Sequence, residues 1–216
     1  MNIILFGPPG AGKGTQADNI VKRFNLHKVS TGDLLREEIK NKTDLGNKIK
    51  SIMDKGLLIS DNIINDLITK ILSDKKFYNR LIFDGYPRNL EQAKNLDLQV
   101  KKYKQKVSCV LSLDVDKESI IKRILGRRTC TNCGLIFNEY FCPSSNKNHS
   151  CDPKFLIRRS DDNEKTILNR FETYLNKTLP ILDFYKEQNL LHQINGMAEI
   201  DQIFEEIQGI IASLET

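Results

Sequence analysis

Short apolar runs alternate with segments of helical periodicity along most of this chain. Five runs have the length and apolar character of buried strands: residues 2–6, 27–30, 80–84, 107–115 and 190–194. Helical spacing predicts helices over residues 14–24, 32–42, 61–72, 90–96, 117–125, 162–187 and 199–214. Pro180 is expected to kink or split the long late helix. Continuously apolar strands separated by helices predict an α/β fold, with a parallel β-sheet flanked by helices on both faces.

Two stretches interrupt this alternation. Residues 30–59 carry helical patterning with no strand between the helices. Residues 126–161 hold four of the five cysteines, two prolines and many turn residues. Both stretches are interpreted as insertions on a core domain formed by residues 1–29, 60–125 and 162–216. A chain of 216 residues is long enough for one or two domains with a substantial apolar core.

A glycine-rich segment follows the first predicted strand. From Gly7 to Thr15 it reads GPPGAGKGT, and a predicted helix begins within it. Glycines let the backbone turn successive N–H groups toward a polyphosphate, and the helix adds its positive N-terminal end. Lys13 supplies a mobile positive charge for the outer phosphates. A simple Gly/Pro turn would not explain lysine at this spacing, so the segment predicts a nucleoside triphosphate site.

The segment departs from the general phosphate-loop pattern in one respect. That pattern ends in Gly-Lys followed directly by Ser or Thr, whereas here Gly14 separates Lys13 from Thr15. Thr15 is therefore not assigned as the hydroxyl ligand of Mg²⁺.

Arginines and polar residues recur at three further places. Residues 30–36 read STGDLLR, which places hydroxyl groups at a helix start and Arg36 about one and a half turns into that helix. Residues 83–88 read FDGYPR, which places Asp84 and Arg88 at a strand end, with Gln92 shortly after. Further arginines lie in residues 126–128, 159–162 and 170. The planar guanidinium binds phosphate with two hydrogen bonds, so this set favours phosphorylated ligands.

Together with the glycine-rich segment, these motifs resemble the adenylate kinase family in order and spacing, from residue 1 to about residue 210. The long segment 126–161 resembles the extended lid of the long form of that family. The resemblance implies phosphoryl transfer from MgATP to AMP, giving two ADP, by a monomer in which residues 30–59 bind AMP and residues 126–161 form the lid. Mobile flaps suit this reaction because water would otherwise take the phosphoryl group.

The resemblance also implies roles for individual residues. For binding of ATP it implies Gly10, Ala11, Gly12, Lys13, Gly14, Thr15, Arg127, Ile136, Phe137 and Ala198. For binding of AMP it implies Thr31, Arg36, Leu57, Leu58, Ile59, Gly85, Tyr86, Pro87, Arg88, Gln92, Arg159 and Arg170. For catalysis it implies Lys13, Asp84, Arg88, Arg123, Arg159 and Arg170, with Asp84 orienting Mg²⁺ or its waters. Phe137 has a second interpretation, as a core aromatic residue of the lid.

The predicted lid also contains a candidate metal site. Cys130 and Cys133 form a C-x-x-C pair followed by glycine, which resembles a zinc knuckle. In zinc-bearing members of the family a second ligand pair follows; Cys151 lies near that place, but Lys154 stands where its partner is expected. A fourth ligand has three candidates, Cys142, His149 and Asp152. Three interpretations stay open: zinc with a rearranged ligand, a zinc-free lid with relic cysteines, and a disulfide, which a cytosolic location disfavours.

Composition excludes some other functions. The net charge of +5 is spread along the chain without a basic tail, so we expect no nucleic-acid partner; an enzyme that collects two polyanionic nucleotides has the same charge requirement. No apolar run approaches the roughly 20 residues that a membrane helix needs, and no signal peptide is recognised, so we expect no membrane partner and a cytoplasmic location or an organelle matrix.

Two alternatives to the adenylate kinase interpretation remain. The first is a sibling nucleoside monophosphate kinase that uses GTP as donor, or CMP or UMP as acceptor, although Gln92 and Thr31 favour AMP. The second is a zinc-containing nucleotide sensor or nucleic-acid-binding protein, which would not require the full arginine set.

Overall fold

The computed structural model describes residues 1–144 and 149–214. Its strands are β1 (Asn2–Phe6), β2 (His27–Ser30), β3 (Leu81–Asp84), β4 (Val107–Asp114), β5 (Arg127–Cys130), β6 (Ile136–Asn138), β7 (Leu156–Ile157) and β8 (Leu191–Asn195). Its helices are α1 (Lys13–Phe24), α2 (Thr31–Lys40), α3 (Asp44–Asp54), α4 (Asp61–Ser73), α5 (Leu90–Lys102), α6 (Lys117–Leu125), α7 (Glu164–Thr173), α8 (Ile181–Lys186) and α9 (Ile200–Ser213).

A five-stranded sheet in the order β2-β3-β1-β4-β8 forms the centre of the molecule, and its pairings are parallel. Alternate residues of β1 face opposite sides: Ile4 and Phe6 join one apolar cluster, and Ile3 and Leu5 join the other. Helices cover both faces, so the predicted α/β architecture is confirmed. Cys109 lies fully buried in β4, as expected for a small core residue.

Polar side chains fix where several helices begin. Asn89, Asp116 and Asn163 each accept a hydrogen bond from a backbone N–H in the first turn of α5, α6 and α7. Such caps satisfy N–H groups that have no partner within the helix. The cap at Asn89 sets the start of α5, which carries Gln92 in its first turn.

The structure corrects several predicted boundaries. The segment 162–187 is divided, as expected at Pro180: α7 is followed by a wider π turn at Tyr174–Thr178, and Pro180 directly precedes α8. Helix α5 runs to Lys102, beyond the predicted end at residue 96. The insertion at residues 30–59 contains α2 and α3, which pack together.

The second insertion contains a small antiparallel sheet in the order β6-β5-β7. Its strands are two to four residues long, which is too short for a periodic pattern to reveal them. None of the helices in the described part of the chain combines the length and apolar character needed to span a bilayer.

Candidate active site

The glycine-rich segment links the end of β1 to the start of α1. Gly12 precedes α1 with φ of 94°, and a Cβ there would have no atom within 4 Å, so the backbone conformation rather than space requires glycine. The Lys13 ammonium donates hydrogen bonds to the carbonyl oxygens of Gly7 at 2.7 Å and Pro8 at 2.9 Å. The lysine is therefore folded back over its own loop, which is the position from which it can meet a bound polyphosphate.

Lys13 has an unusual electrostatic environment. Burial lowers its pKa to about 8; Asp84 opposes this change, and the nearby Arg88, Arg170 and Arg127 add to it. The concentration of positive charge around one half-buried lysine indicates a site for a polyanion, because a phosphate group would relieve the repulsion.

An open cleft of about 570 Å³ lies between the central sheet and the first insertion. Nine of the residues predicted to bind AMP line it: Thr31, Arg36, Leu57, Leu58, Ile59, Gly85, Arg88, Gln92 and Arg170. We call this the acceptor cleft. Of the other predicted residues, Tyr86 lies buried in the core, where its hydroxyl donates to Asn65 at 3.0 Å, and Arg159 donates to the Thr129 hydroxyl at 3.2 Å in the second insertion.

A second cleft of about 510 Å³ is lined by the glycine-rich segment, including Gly7 and Lys13, together with Pro87 and the π turn. We call this the phosphate-loop cleft. The two clefts share five residues: Gly56, Leu58, Gly85, Arg88 and Arg170. The two clefts therefore adjoin, and two arginines line both of them.

Arg88 is held firmly at this junction. Its Nε donates to the Gly85 carbonyl oxygen at 2.7 Å, and its own carbonyl oxygen accepts from the Thr178 hydroxyl at 2.7 Å. Burial, with further repulsion from Arg170, lowers the pKa of Arg88 to about 10. The guanidinium still carries its charge at neutral pH, but no carboxylate of the described residues forms a salt bridge with it, so it is suited to receive an anion.

Three other predicted arginines are paired. Arg170 donates to Asp161 at 2.9 Å, Arg127 forms a two-point salt bridge with Asp162, and Arg36 pairs with Asp33 at 2.5 Å. Arg123 instead donates to the carbonyl oxygen of Gly196 at 3.0 Å, and the ring of Phe141 lies 5.6 Å from its guanidinium carbon. Asp161 and Asp162 belong to a motif visible in the sequence, but their pairing with specific arginines is not.

The residues predicted to contact the donor base lie apart from the two clefts. Ile136 and Phe137 belong to β6, and Ala198 follows β8 in a turn that packs on the core. The ring of Phe137 is buried, and its centroid lies 4.7 Å from that of His149. This packing favours the interpretation of its side chain as a core aromatic residue of the insertion.

Asp84 ends β3 beside the glycine-rich segment. Its Oδ2 lies 3.7 Å from the point that a Cβ on Gly14 would occupy, so the carboxylate faces the loop. A carboxylate oxygen is a ligand that Mg²⁺ prefers, directly or through water. The residues at this edge therefore fit a magnesium ion that accompanies a bound triphosphate.

The second insertion brings four metal-binding side chains together. One ligand atom from each of Cys130, Cys133, His149 and Cys151 lies within 4.8 Å of the others. The turn that presents the first pair is closed by a hydrogen bond from the Gly134 N–H to the Cys130 carbonyl oxygen at 2.9 Å. Nε2 of His149 is buried without a hydrogen-bond partner among the described residues. Three thiols and an imidazole are a set that tetrahedral Zn²⁺ accepts.

The other candidates for a fourth ligand lie outside this cluster. Cys142 pairs with Asn138 through the backbone, and the Asp152 carboxylate forms a salt bridge with Lys154 at 3.1 Å. All five cysteines of the chain lie within the described residues, and each is a free thiol.

Several residues of the acceptor cleft were not assigned from the sequence, among them Leu35, Met53, Gly56 and Ile64. Leu35, Met53 and Ile64 lie on helices at apolar positions that also serve the core, so their spacing alone does not separate the two roles. At Gly56 the residue type itself is the sequence signal. Its φ is 72°, and a Cβ there would lie 2.9 Å from the Arg170 side chain, so both the backbone conformation and the space favour glycine.

Comparison with known proteins gives a consistent result. Residues 5–190 match the sequence model of the family described as adenylate kinase. The chain is 46% identical over 211 residues to an adenylate kinase of Pelagibacter ubique, covering 98% of this chain and 99% of that protein. It is 42% identical over 217 residues to one of Methanothrix thermoacetophila, with 100% of both chains covered. It is 40% identical over 215 residues to one of Clostridioides difficile, with 99% of both covered.

Proposed function

Because the chain belongs to the adenylate kinase family, we propose that its two adjoining clefts hold ATP and AMP together. The protein is a nucleoside monophosphate kinase, and its reaction is MgATP + AMP = 2 ADP. Support for this assignment comes from Arg88 and Arg170, which line both clefts, so that two guanidinium groups would be available to the transferred phosphoryl group.

The phosphate-loop cleft receives the donor. In the proposed complex the backbone N–H groups of residues 10–15 surround the β- and γ-phosphates, and the positive end of α1 adds to their field. Lys13 exchanges its hydrogen bonds to Gly7 and Pro8 for the γ-phosphate. Bound phosphate stabilises the charged ammonium that burial disfavours, and this contact aids catalysis where it is stronger in the transition state than in the bound ground state.

The acceptor cleft receives the monophosphate. Arg36 and Arg88 bind its phosphate, and the apolar residues Leu57, Leu58 and Ile59 pack on its base with Thr31 and Gln92. In the transfer step a phosphate oxygen of AMP forms a bond to the γ-phosphorus of ATP while the bond from that phosphorus to the β,γ-bridging oxygen breaks. Arg123, Arg159 and Arg170 neutralise the charge that spreads over the transferred oxygens.

Magnesium ion bound with ATP supplies further neutralisation of the phosphate oxygens. We propose that Asp84 holds this ion or its waters, because its carboxylate faces the glycine-rich segment.

Residues 30–59 act as the AMP-binding insertion and residues 126–161 as the lid on the core of residues 1–29, 60–125 and 162–216. We also propose a monomeric enzyme, as the resemblance to the long form of the family implies.

The lid carries the proposed structural metal. We propose that Cys130, Cys133, His149 and Cys151 hold Zn²⁺, with His149 in place of the ligand lost at Lys154. Support comes from the four convergent ligand atoms and from the unpartnered His149 nitrogen. The ion would tie together the turn at residues 130–134 and the segment before β7, a region in which short strands provide little apolar core.

Choice of the acceptor base tests the proposed function against the sibling kinases. In a coupled assay with ATP, AMP should exceed CMP, UMP and GMP by at least about 100-fold in kcat/KM, because a buried site built on hydrogen bonds rejects bases that cannot complete them. The variant Gln92→Leu should narrow this difference. Comparable rates with CMP or UMP would assign the protein to a sibling activity instead.

A further inference from the structure

The carboxamide of Gln92 is held at both of its ends. Its Oε1 accepts a hydrogen bond from the Arg88 N–H at 2.8 Å, and its Nε2 donates to Oδ1 of Asp61 at 2.6 Å. The side chain is only 2% exposed, yet it borders the acceptor cleft. The residue that faces the base is therefore fixed by two partners, one from the backbone and one from a carboxylate.

Asp61 is itself fixed by the same region. It is the first residue of α4, and its two carboxylate oxygens accept from Nδ2 of Asn89 at 3.0 and 3.1 Å. The Oδ1 of Asn89 in turn accepts from the Gln92 N–H at 2.8 Å. Asp61, Asn89 and Gln92 thus form one network that joins the starts of α4 and α5.

This network allows a single orientation of the Gln92 amide. Rotation of the amide by half a turn would bring Oε1 against the Asp61 carboxylate and the amide nitrogen against the Arg88 N–H. The first contact sets two acceptors face to face and the second sets two donors face to face, so both hydrogen bonds would be lost. Without a carboxylate at position 61, only the Arg88 N–H would favour this orientation of the amide, and it would do so more weakly because neither partner is charged.

A fixed amide offers a fixed order of donor and acceptor to a ligand. An amide has two N–H groups and two lone pairs on its oxygen, and the network uses one of each. A 6-aminopurine presents a donor at position 6 beside an acceptor at position 1, whereas a 6-oxopurine presents the reverse order. An amide that can turn over accommodates both orders, and one that cannot turn over accommodates one.

We propose that Asp61 is a positioning residue that makes the acceptor site selective for a 6-aminopurine monophosphate over a 6-oxopurine monophosphate, by fixing the orientation of the Gln92 amide. The proposal rests on the proposed function, since it requires Gln92 to face the acceptor base. Asp61 contacts Gln92 and Asn89 and is not among the residues that line the acceptor cleft.

The test compares AMP with inosine monophosphate, which differs from AMP by the exchange of the 6-amino group for an oxo group and the proton at position 1. The variant Asp61→Asn keeps the size of the side chain but offers Gln92 an N–H group as well as an oxygen, so either orientation of the amide finds a partner. We expect the ratio of kcat/KM for AMP to that for inosine monophosphate to fall by about tenfold or more, the scale on which one hydrogen bond to a charged group acts. The change should arise in KM for the monophosphates, with KM for ATP unaltered.

Two further variants separate positioning of the Gln92 amide from the general effect of removing a carboxylate at the start of a helix. Asp44→Asn removes an exposed carboxylate from the same position of a different helix, the first residue of α3, and should leave the ratio unchanged. Asp61→Glu keeps a side chain that only accepts hydrogen bonds, so it should retain more of the wild-type ratio than Asp61→Asn. If Asp61→Asn does not fold, Asp61→Ser provides the test, because its hydroxyl offers both a donor and an acceptor and the ratio should fall in the same way. In a Gln92→Leu background, Asp61→Asn should have no additional effect on the ratio.

The outcomes distinguish the proposed function from the positioning role of Asp61. Failure of the wild-type protein to phosphorylate AMP would overturn the proposed function. Normal use of AMP with an equal ratio in wild type and Asp61→Asn would overturn the positioning role alone. An equal fall in the Asp44→Asn variant, or an undiminished effect in the Gln92→Leu background, would also overturn it.

Discussion

The guanidinium of Arg170 donates to the carboxylate of Asp161 at 2.9 Å, so a residue at the end of the lid pairs with a residue that borders both clefts. The next residue, Asp162, accepts two hydrogen bonds from Arg127. Both carboxylates are buried. They offer these arginines the same two-oxygen chemistry that a phosphate offers, so we infer that substrate phosphates compete with Asp161 and Asp162 for the arginines.

Replacement of Asp161 should reveal the cost of leaving Arg170 unpaired. Asp161→Asn keeps the shape but removes the charge, and we expect a loss of roughly 2 kcal/mol in the free energy of unfolding, since a buried charge is left without compensation. Glu91→Gln, which breaks the exposed pair with Lys94, should change it by less than about 1 kcal/mol. Urea denaturation measures both, and equal losses would contradict this interpretation of Asp161.

The loss at Asp161 should also depend on pH. Burial alone would raise the pKa of this carboxyl, but Arg170 and Arg36 hold it below its ordinary value. Since the folded pKa lies below the unfolded one, the stabilisation is fully present above the unfolded value of about 3.9 and is lost as pH falls through the folded pKa. The difference in stability between wild type and Asp161→Asn should therefore shrink from pH 6 toward pH 3, and a constant difference would contradict the assignment.

Lys13 is expected to lower the stability of the fold while it supports catalysis. Its pKa in the folded protein, about 8, lies below its ordinary value of 10.5, so the charged form at neutral pH costs roughly 3 kcal/mol. Lys13→Met removes this cost along with two hydrogen bonds to the loop, and we expect Tm to rise by about 2–6 °C. Turnover should fall by at least about 10³-fold, because the only lysine of the glycine-rich segment is lost.

A control for this prediction lies on the same helix. Lys22 is exposed in the last turn of α1, so Lys22→Met should alter neither Tm nor turnover appreciably. Thermal unfolding and the coupled assay provide the two measurements. A Lys13→Met protein that folds and retains near wild-type turnover would remove Lys13 from the proposed mechanism.

The lid metal can be tested without an activity measurement. Elemental analysis of protein purified without chelator should find close to one zinc per chain, and His149→Ala should lower both the zinc content and Tm. His192→Ala, in β8 and outside the metal cluster, should lower neither. A metal-free wild-type protein with titratable thiols would instead support a lid whose cysteines are relics, with Lys154 marking the lost ligand.

The sequence predicts the core of this fold well because its signals are local. The apolar run at residues 2–6 gives β1 with its observed bounds, and the glycine-rich segment gives the turn into α1. The lid sheet escapes prediction because β7 has only two residues. Pro180 predicts that the segment 162–187 is divided, but the π turn at residues 174–178 has no local signal and escapes prediction.

Side-chain pairings explain what is missed in the site. Gln92 can be selected from its motif, but its partner Asp61 lies 31 residues away, on the first turn of another helix. His149 can be proposed as a metal ligand, but its choice over Cys142 and Asp152 depends on how the lid folds. Long-range contacts of this kind follow from tertiary packing and leave no periodic trace in the sequence.

The phosphoryl group is proposed to pass directly from the phosphate-loop cleft to the adjoining acceptor cleft and to be kept from water on the way. Phosphorus NMR on a mixture of ATP, AMP and Mg²⁺ with the wild-type protein tests it most directly, since ATP, AMP, ADP and inorganic phosphate give separate signals. We predict that two ADP appear for each ATP consumed, with one AMP lost and no inorganic phosphate above the protein-free control. Release of inorganic phosphate from ATP with AMP left unchanged would contradict the account.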